Sequence, residues 1–324
     1  MLSLDKAREI INLEIKKIDL QPEPEKLYAP VHYVMALGGK RLRPALVLQA
    51  CEMFSGNYHV AIPAALGVEI FHNFTLLHDD IMDNASLRRN SPTVHTKWNN
   101  NVAILSGDAM QIIALQHIRR TEHENILDVI DTFNETALKV CEGQQFDMDF
   151  EKLSNVTVGQ YLNMIGLKTA ELLAASLKIG ALIGSANDLD IQKMYDFGKN
   201  MGLAFQLQDD FLDVYANESE LGKEIGKDIK ANKKTFLLLK TMELADDKDL
   251  KAINEWLARE EALDNEKVQA MKSMYEKYQI PYYTEQKIEQ YFKNAMENLH
   301  EIKVAQLKKE EMMKIINLLK MRNS

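Results

Sequence analysis

Leu76-Leu77-His78-Asp79-Asp80-Ile81-Met82-Asp83 closes a long apolar stretch with three carboxylates, and its reading decides the fold. The residues before it, Ala61 to Met82, are apolar with helical spacing, so a helix is expected to carry the acids at its end. At about 100° per residue, Asp79 and Asp83 stand one above the other and Asp80 turns to the flank. Like charges at that spacing destabilise a bare helix by a few tenths of a kcal/mol. A hard divalent cation such as Mg²⁺ would offset this, since it takes oxygen ligands from one or two carboxylates plus substrate phosphates. Taken alone, D-D-x-x-D is more often a solvated helix end.

The pattern occurs twice. Gln206-Leu207-Gln208-Asp209-Asp210-Phe211-Leu212-Asp213 repeats it behind the apolar Leu203-Ala204-Phe205. Two acidic sets on otherwise apolar helices suggest carboxylates that point across a shared cavity at several cations. Val102 to Arg119, Ile126 to Phe150, Val158 to Ala186 and Ile191 to Tyr215 also read as helices, and no proline falls between Trp98 and Ile280. Alternating strand patterns and hairpin dipeptides are missing. The expected fold is all-α, one large helical bundle around a central apolar cavity, with residues 1–324 forming a single domain.

Composition bounds the function. The 324 residues are 46% hydrophobic and 27% charged, enough for a large core. A net charge of −9 argues against general nucleic-acid binding, which calls for a basic footprint. Cys51 and Cys141 have neither metal-ligand spacing nor a disulfide framework, which suggests a reducing cytoplasm. Met1 to Asp19 lacks a charged-then-apolar leader, and no uninterrupted apolar run reaches roughly 18 residues, so no membrane span is expected.

Further candidate groups lie between these landmarks. Gly38-Gly39 ends a short helix over Leu27–Leu37 and leads into Lys40-Arg41-Leu42-Arg43-Pro44, three cations beside flexible backbone that could meet an anion. On the wheel His72 falls within about 20° of Asp79, so it shares the face of the proposed metal ligands. Ser86 to His95 reads as a loop carrying Arg88 and Arg89. Lys168, in Gly166-Leu167-Lys168-Thr169-Ala170, sits in an apolar helix, where a lysine needs a partner or must reach solvent. Glu218 to Lys234 is a glycine-punctuated lysine-rich loop, with Lys223, Lys227 and Lys233 placed to meet a phosphate. Phe236 to Ser324 reads as packing helices.

Assembled, these residues resemble the trans-isoprenyl diphosphate synthase (polyprenyl synthetase) family. Five signatures stand in the family's order between Gly38 and Thr235: Gly38-Gly39-Lys40-x-x-Arg43-Pro44, Asp79-Asp80-x-x-Asp83 with Arg88-Arg89, Lys168-Thr169, Gln206-x-x-Asp209-Asp210-x-x-Asp213, and Gly222-Lys223 leading to Lys233-x-Thr235. Asn90 stands where the family usually has glycine after the arginine pair, and Lys234 where it often has a small residue. The resemblance implies that Asp79, Asp83 and Asp209 bind about three Mg²⁺ ions bridging an allylic diphosphate, with Asp80, Asp210 and Asp213 in support. It implies that Arg88, Lys168, Lys223 and Lys233 hold the same diphosphate, and that Lys40, Arg43, His72 and Arg89 hold that of isopentenyl diphosphate. Thr169 and Gln206 would lie near the developing allylic cation. A homodimer is implied in the same way.

The resemblance also bears on product length. An aromatic at Phe74 beside the small Thr75 is similar to the geranylgeranyl (C20) type, with C15 the nearest competitor; Phe71 is a second possible plug. A class I terpene cyclase would usually replace the second acidic set and would not need the Gly38–Pro44 loop. A non-catalytic subunit of a heteromeric synthase would typically lose one set.

Overall fold

The structure of the protein, a computed structural model, describes residues 1–216, 226–259 and 264–321. Helix accounts for 79% of the described residues, and a single pair of two-residue strands is their whole sheet content, so the all-α expectation holds. The chain divides into two compact units: Met1–Glu135 with Ala175–Tyr195 and Ile302–Met312, and Thr136–Ala174 with Asp196–Glu301 and Met313–Ser324.

The first unit starts with α1 (Leu4–Ile15), whose N-terminus is capped by the Ser3 side chain, which accepts from the Lys6 amide at 3.3 Å. Then come α2 (Glu25–Ala36), α3 (Leu42–Ser55), α4 (Ile62–Met82), the hairpin β1 (Leu87–Arg88) and β2 (Ser91–Pro92), α5 (Val94–Lys97) and α6 (Asn100–Arg119). α3 is apolar on nearly all sides, and Pro44 to Cys51 are buried without a break. α4 packs against α3 and α6. It is long and apolar enough to cross a bilayer by composition, but 67% of that apolar window is buried inside the fold, as in a core helix. α4 and α6 approach closely at Gly107, where a Cβ would lie 2.2 Å from His78 Nε2.

Beyond α6 run α7 (Ile126–Lys152), α8 (Val158–Ile165), a π-helical segment (Gly166–Ala170), α9 (Glu171–Ile183) and α10 (Asp188–Tyr215). The single helix expected over Val158–Ala186 is therefore interrupted by a π turn and ends at Ile183. α8 opens with a capping box in which Thr157 and Gln160 satisfy each other's backbone amides. Then follow α11 (Lys227–Lys230), α12 (Phe236–Leu244), α13 (Asp247–Leu257), α14 (Asp264–Lys277), α15 (Ile280–Glu301) and α16 (Gln306–Lys320). In the second unit Val214, Ile229, Leu237, Leu238, Ile253, Val268, Met271, Tyr275 and Ile280 form a core of their own, so the charged C-terminal helices are packing elements, as their periodicity suggested.

Candidate active site

In the first unit, α4 delivers the first acidic set at its C-terminal end, with Asp83 as the cap. That is the end where aligned peptide dipoles disfavour negative charge, by about 0.3–1 kcal/mol for each exposed group. The three acids are not equivalent. Asp83 is exposed and Asp79 half-buried, whereas Asp80 is only 4% exposed. Asp80 Oδ1 accepts from Arg88 Nε at 2.7 Å, and Arg88 Nη2 lies 2.7 Å from the same oxygen and 3.9 Å from Asp79 Oδ2. Burial raises the Asp80 pKa, and the Arg88 charge opposes that rise.

Arg88 is held in this pose by a hairpin within Ser86 to His95, where a loop was expected. Arg88 pairs with Ser91, and the two residues between them, Arg89 and Asn90, have φ of 53° and 60°. Two left-handed residues make a tight turn suited to the strand twist, and asparagine tolerates that conformation better than most residues. Asn90 thus serves where glycine was the expected residue. Tyr33 secures the far strand by donating from its hydroxyl to the Pro92 carbonyl at 2.8 Å, and Lys97 lies over the Tyr33 ring at 3.8 Å.

The basic groups of this unit converge, with one exception. Arg89 donates from Nη1 to the Gly38 carbonyl. Gly39 has φ +139°, a conformation that favours glycine, and a Cβ there would stand 2.8 Å from Arg89 Nη2, which would have to shift. Arg43 Nη1 lies 3.2 Å from His72 Nε2. Burial, then the charges of Arg43, Arg89, Arg88 and Arg41, hold His72 well below its usual pKa, and burial lowers Arg43 to about 10. Lys40 is exposed, and its carbonyl accepts from Arg8 Nε at 2.8 Å. The exception is Arg41. It is 4% exposed, sits in the left-handed region at φ 46°, pairs with buried Glu69 and donates to the Met35 carbonyl at 2.8 Å. It anchors the loop. A carboxylate inside the apolar run Leu66-Gly67-Val68-Glu69-Ile70 was the signal that a buried cation had to meet it.

Of the residues considered for chain length, Phe74 is 7% exposed and its ring lies 4.7 Å from that of His78 and 5.4 Å from that of Phe71. Phe71 is fully buried against Phe133, at 5.1 Å. Thr75 Oγ1 donates to the His72 carbonyl at 2.8 Å.

In the second unit, α10 carries Asp209, Asp210 and Asp213 near its own C-terminal end. The pattern of the first set returns: Asp209 and Asp213 are half-buried, and the middle acid, Asp210, is 5% exposed. Tyr161 donates its hydroxyl to Asp210 Oδ2, and Gln206 Nε2 donates to Oδ1 at 3.0 Å. Burial, then the nearby Asp228 charge, pushes Asp210 up to about 8. Gln206 Oε1 in turn accepts from Thr169 Oγ1 at 3.1 Å, which links the π segment to the second acidic set. Lys168 is not stranded in an apolar helix. Its ammonium lies 2.6 Å from Asp147 Oδ2 with 23% of the side chain exposed, so it is both paired and partly solvated.

Past α10, the Gly226 amide donates to the Asp213 carbonyl at 2.7 Å and the Asp228 amide to Asp213 Oδ2 at 3.0 Å. Asp228 is raised to about 6 by burial and by Asp213, while the Lys233 charge opposes the rise. Gly222 and Lys223 lie outside the described residues. Asp147, Tyr161 and Asp228 were not singled out from sequence; each is one acid or phenol among many, and only tertiary placement distinguishes them.

The donors outside the tied middle acids, Asp79 and Asp83 in one unit and Asp209 and Asp213 in the other, are all carboxylate oxygens, the chemistry a hard divalent cation takes. No group of three or more metal-ligating side chains is gathered among the described residues.

The polyprenyl synthetase family model matches residues 24–278. This chain belongs to the polyprenyl synthetase family. It is a prenyltransferase, and its relatives are consistent with short-chain trans-prenyl diphosphate synthesis. Among its relatives is a geranylgeranyl diphosphate synthase of Sulfolobus acidocaldarius, 39% identical over 300 residues, 91% of this chain and 90% of that protein. The chain is similar to a crystal structure of a geranylgeranyl pyrophosphate synthase with a TM-score of 0.94 and 42% identity over the whole of both chains. A polyprenyl synthase of Caulobacter crescentus, crystallised with calcium and isoprenyl diphosphate, is 25% identical with a TM-score of 0.85 over 99% of this chain and 97% of that one.

Proposed function

We propose that this family member, acting as one domain of residues 1–324, condenses isopentenyl diphosphate head-to-tail with an allylic diphosphate in a Mg²⁺-dependent reaction, giving geranylgeranyl (C20) diphosphate and pyrophosphate. The observation that carries this reading is the matched construction of the two acidic sets. Each stands at the C-terminal end of an apolar helix, with its middle acid buried and tied, leaving outer carboxylates at the end of a helix dipole that repels them. A bound divalent cation would offset that unfavourable placement.

Asp79, Asp83 and Asp209 would hold the metal, about three ions, against the allylic diphosphate. When bound, Mg²⁺ supplies charge neutralisation to the departing pyrophosphate. Asp80 orients Arg88, and Asp147 orients Lys168, so that both cations, with Lys223 and Lys233, neutralise the same group. Lys40, Arg43, His72 and Arg89 hold the diphosphate of isopentenyl diphosphate, and this brings its double bond to the allylic carbon as an intramolecular partner. Arg43 donates to a neutral His72, whose other ring nitrogen then carries a proton for an anionic oxygen. Thr169 and Gln206, oxygens joined by one hydrogen bond, lie near the allylic cation. The proton lost from the condensed product goes to pyrophosphate. Phe74 would end the space for the growing tail, as the resemblance to the C20 type implies. We further propose a homodimer working in the cytoplasm.

Pyrophosphate release, followed with each substrate alone and with both, tests the reaction. Release that needs both substrates and Mg²⁺, and stops on chelation, is the expected result. Release from the allylic diphosphate alone would make the chain a cyclase, and no release under any condition would leave it a non-catalytic subunit.

A further inference from the structure

The π segment Gly166–Ala170 holds two groups assigned to the reaction, Lys168 and Thr169, and a π turn is less stable than the α-helix around it. Something must hold it. Glu171, the first residue of α9, is only 1% exposed in its side chain, yet it carries a carboxylate in the apolar run Ala170-Glu171-Leu172-Leu173. Two ammonium groups meet it: Lys199 Nζ lies 2.6 Å from Oε2 and Lys139 Nζ 2.8 Å from Oε1. Lys199 Nζ also donates to the Gly166 carbonyl at 2.6 Å. One ammonium therefore bridges the first carbonyl of the π segment and the side chain five residues later, the span of one π turn. In a regular α-helix positions five apart stand about 140° apart around the axis, whereas a π turn brings the fifth residue back toward the first.

The opposing helix fits the same register. Lys139, Gly143 and Asp147 stand at successive i+4 positions on one face of α7. Lys139 takes Glu171; Gly143 admits the Lys168 backbone, whose amide nitrogen would be 2.3 Å from a Cβ there; Asp147 takes the Lys168 ammonium at 2.6 Å.

We propose that Glu171 and Lys199, with Lys139, are positioning residues for prenyl transfer: they lock the π turn that aims Lys168 and Thr169 at the allylic diphosphate. This rests on the reading of Lys168 as a contact to that diphosphate. Charge-assisted bonds of this length to a buried carboxylate are strong and directional, and they hold a backbone register that the segment's sequence does not favour by itself.

Steady-state kinetics of Lys199→Met, Lys199→Arg, Glu171→Gln and Lys168→Ala, with each substrate varied in turn, test the proposal. Lys199→Met and Lys168→Ala are expected to raise KM for the allylic diphosphate tenfold or more while leaving KM for isopentenyl diphosphate within twofold. Lys199→Arg should recover most of the loss, and Glu171→Gln should give a smaller shift in the same direction, keeping the test open if Lys199→Met does not fold. If Lys168→Ala raises the allylic KM but Lys199→Met and Glu171→Gln merely lower Tm, the positioning role is overturned. If Lys168→Ala leaves that KM unchanged, the reading of Lys168 fails and the catalytic half of the proposal fails with it. Amide hydrogen exchange over residues 166–171, measured without substrate, decides the structural half separately: Lys199→Met must lose protection there, and unchanged protection overturns the lock.

Discussion

Arg43 and His72 lie 3.2 Å apart with the guanidinium as donor, so the imidazole must accept through Nε2 and stay neutral. Burial, and then the charges of Arg43, Arg89, Arg88 and Arg41, keep its pKa well below 6.5 in the folded protein. The unfolded chain takes up the proton near pH 6.5, and the folded chain does so only at much lower pH. The stability tied to this group is therefore complete above pH 6.5 and lost as pH falls toward the folded value, by up to about 1.4 kcal/mol per pH unit. Asp210 and Asp228, with raised pKa values, contribute with the opposite sign over the same range, so this acid limb is read as the difference between wild type and His72→Gln in urea denaturation from pH 8 to 5.

Arg41 and Glu69 form a buried pair, each 2% exposed in its side chain. Removing one partner leaves a charge stranded in the core, so Arg41→Met should cost about 3–5 kcal/mol in a denaturation experiment. The double change Arg41→Met with Glu69→Leu should recover much of that stability, though the Gly38–Arg43 loop loses its anchor and KM for isopentenyl diphosphate should stay high.

Gly143→Ala places a methyl 2.3 Å from the Lys168 amide nitrogen, against backbone that cannot swing aside. We expect about 1–3 kcal/mol of destabilisation, read by thermal melting, and a loss of turnover larger than that change in stability explains. Gly159→Ala is the control, because the nearest atom to a Cβ there is a side-chain oxygen at 3.9 Å.

Phe74→Ala should shift the product toward chains longer than C20 on chromatography of the lipid fraction. It should also cost about 3–5 kcal/mol, since the ring packs on Phe71 and His78. An unaltered product distribution in a folded variant would remove Phe74 from the account of chain length.

Much of this molecule could be read in its sequence, because its helices announce themselves. Ala61–Met82 and Ile191–Tyr215 differ from the observed α4 and α10 by only a few residues at their starts, since apolar spacing fixes a helix well and its first turn poorly. The two acidic sets were legible from their repeated spacing. Asp80 was legible as the acid turned to the flank, but the burial of Asp80 and Asp210 and the ties to Arg88, Gln206 and the distant Tyr161 were not. Arg41 was read with Lys40 and Arg43 as one basic group, and burial separated it from them. The π turn left no trace, since Gly166 to Ala170 continues an ordinary helical pattern and the register depends on Lys199, more than thirty positions later. Arg89-Asn90 hid a hairpin turn because neither residue is the usual glycine.

The placement of acids at two helix ends has a consequence for how the protein ages. An empty molecule keeps its outer aspartates in mutual and dipolar repulsion, and a loaded one is relieved of it. On the proposed reading, divalent ions would therefore bear on persistence as well as on turnover, since their removal would loosen the tips of α4 and α10 by about 1 kcal/mol or less.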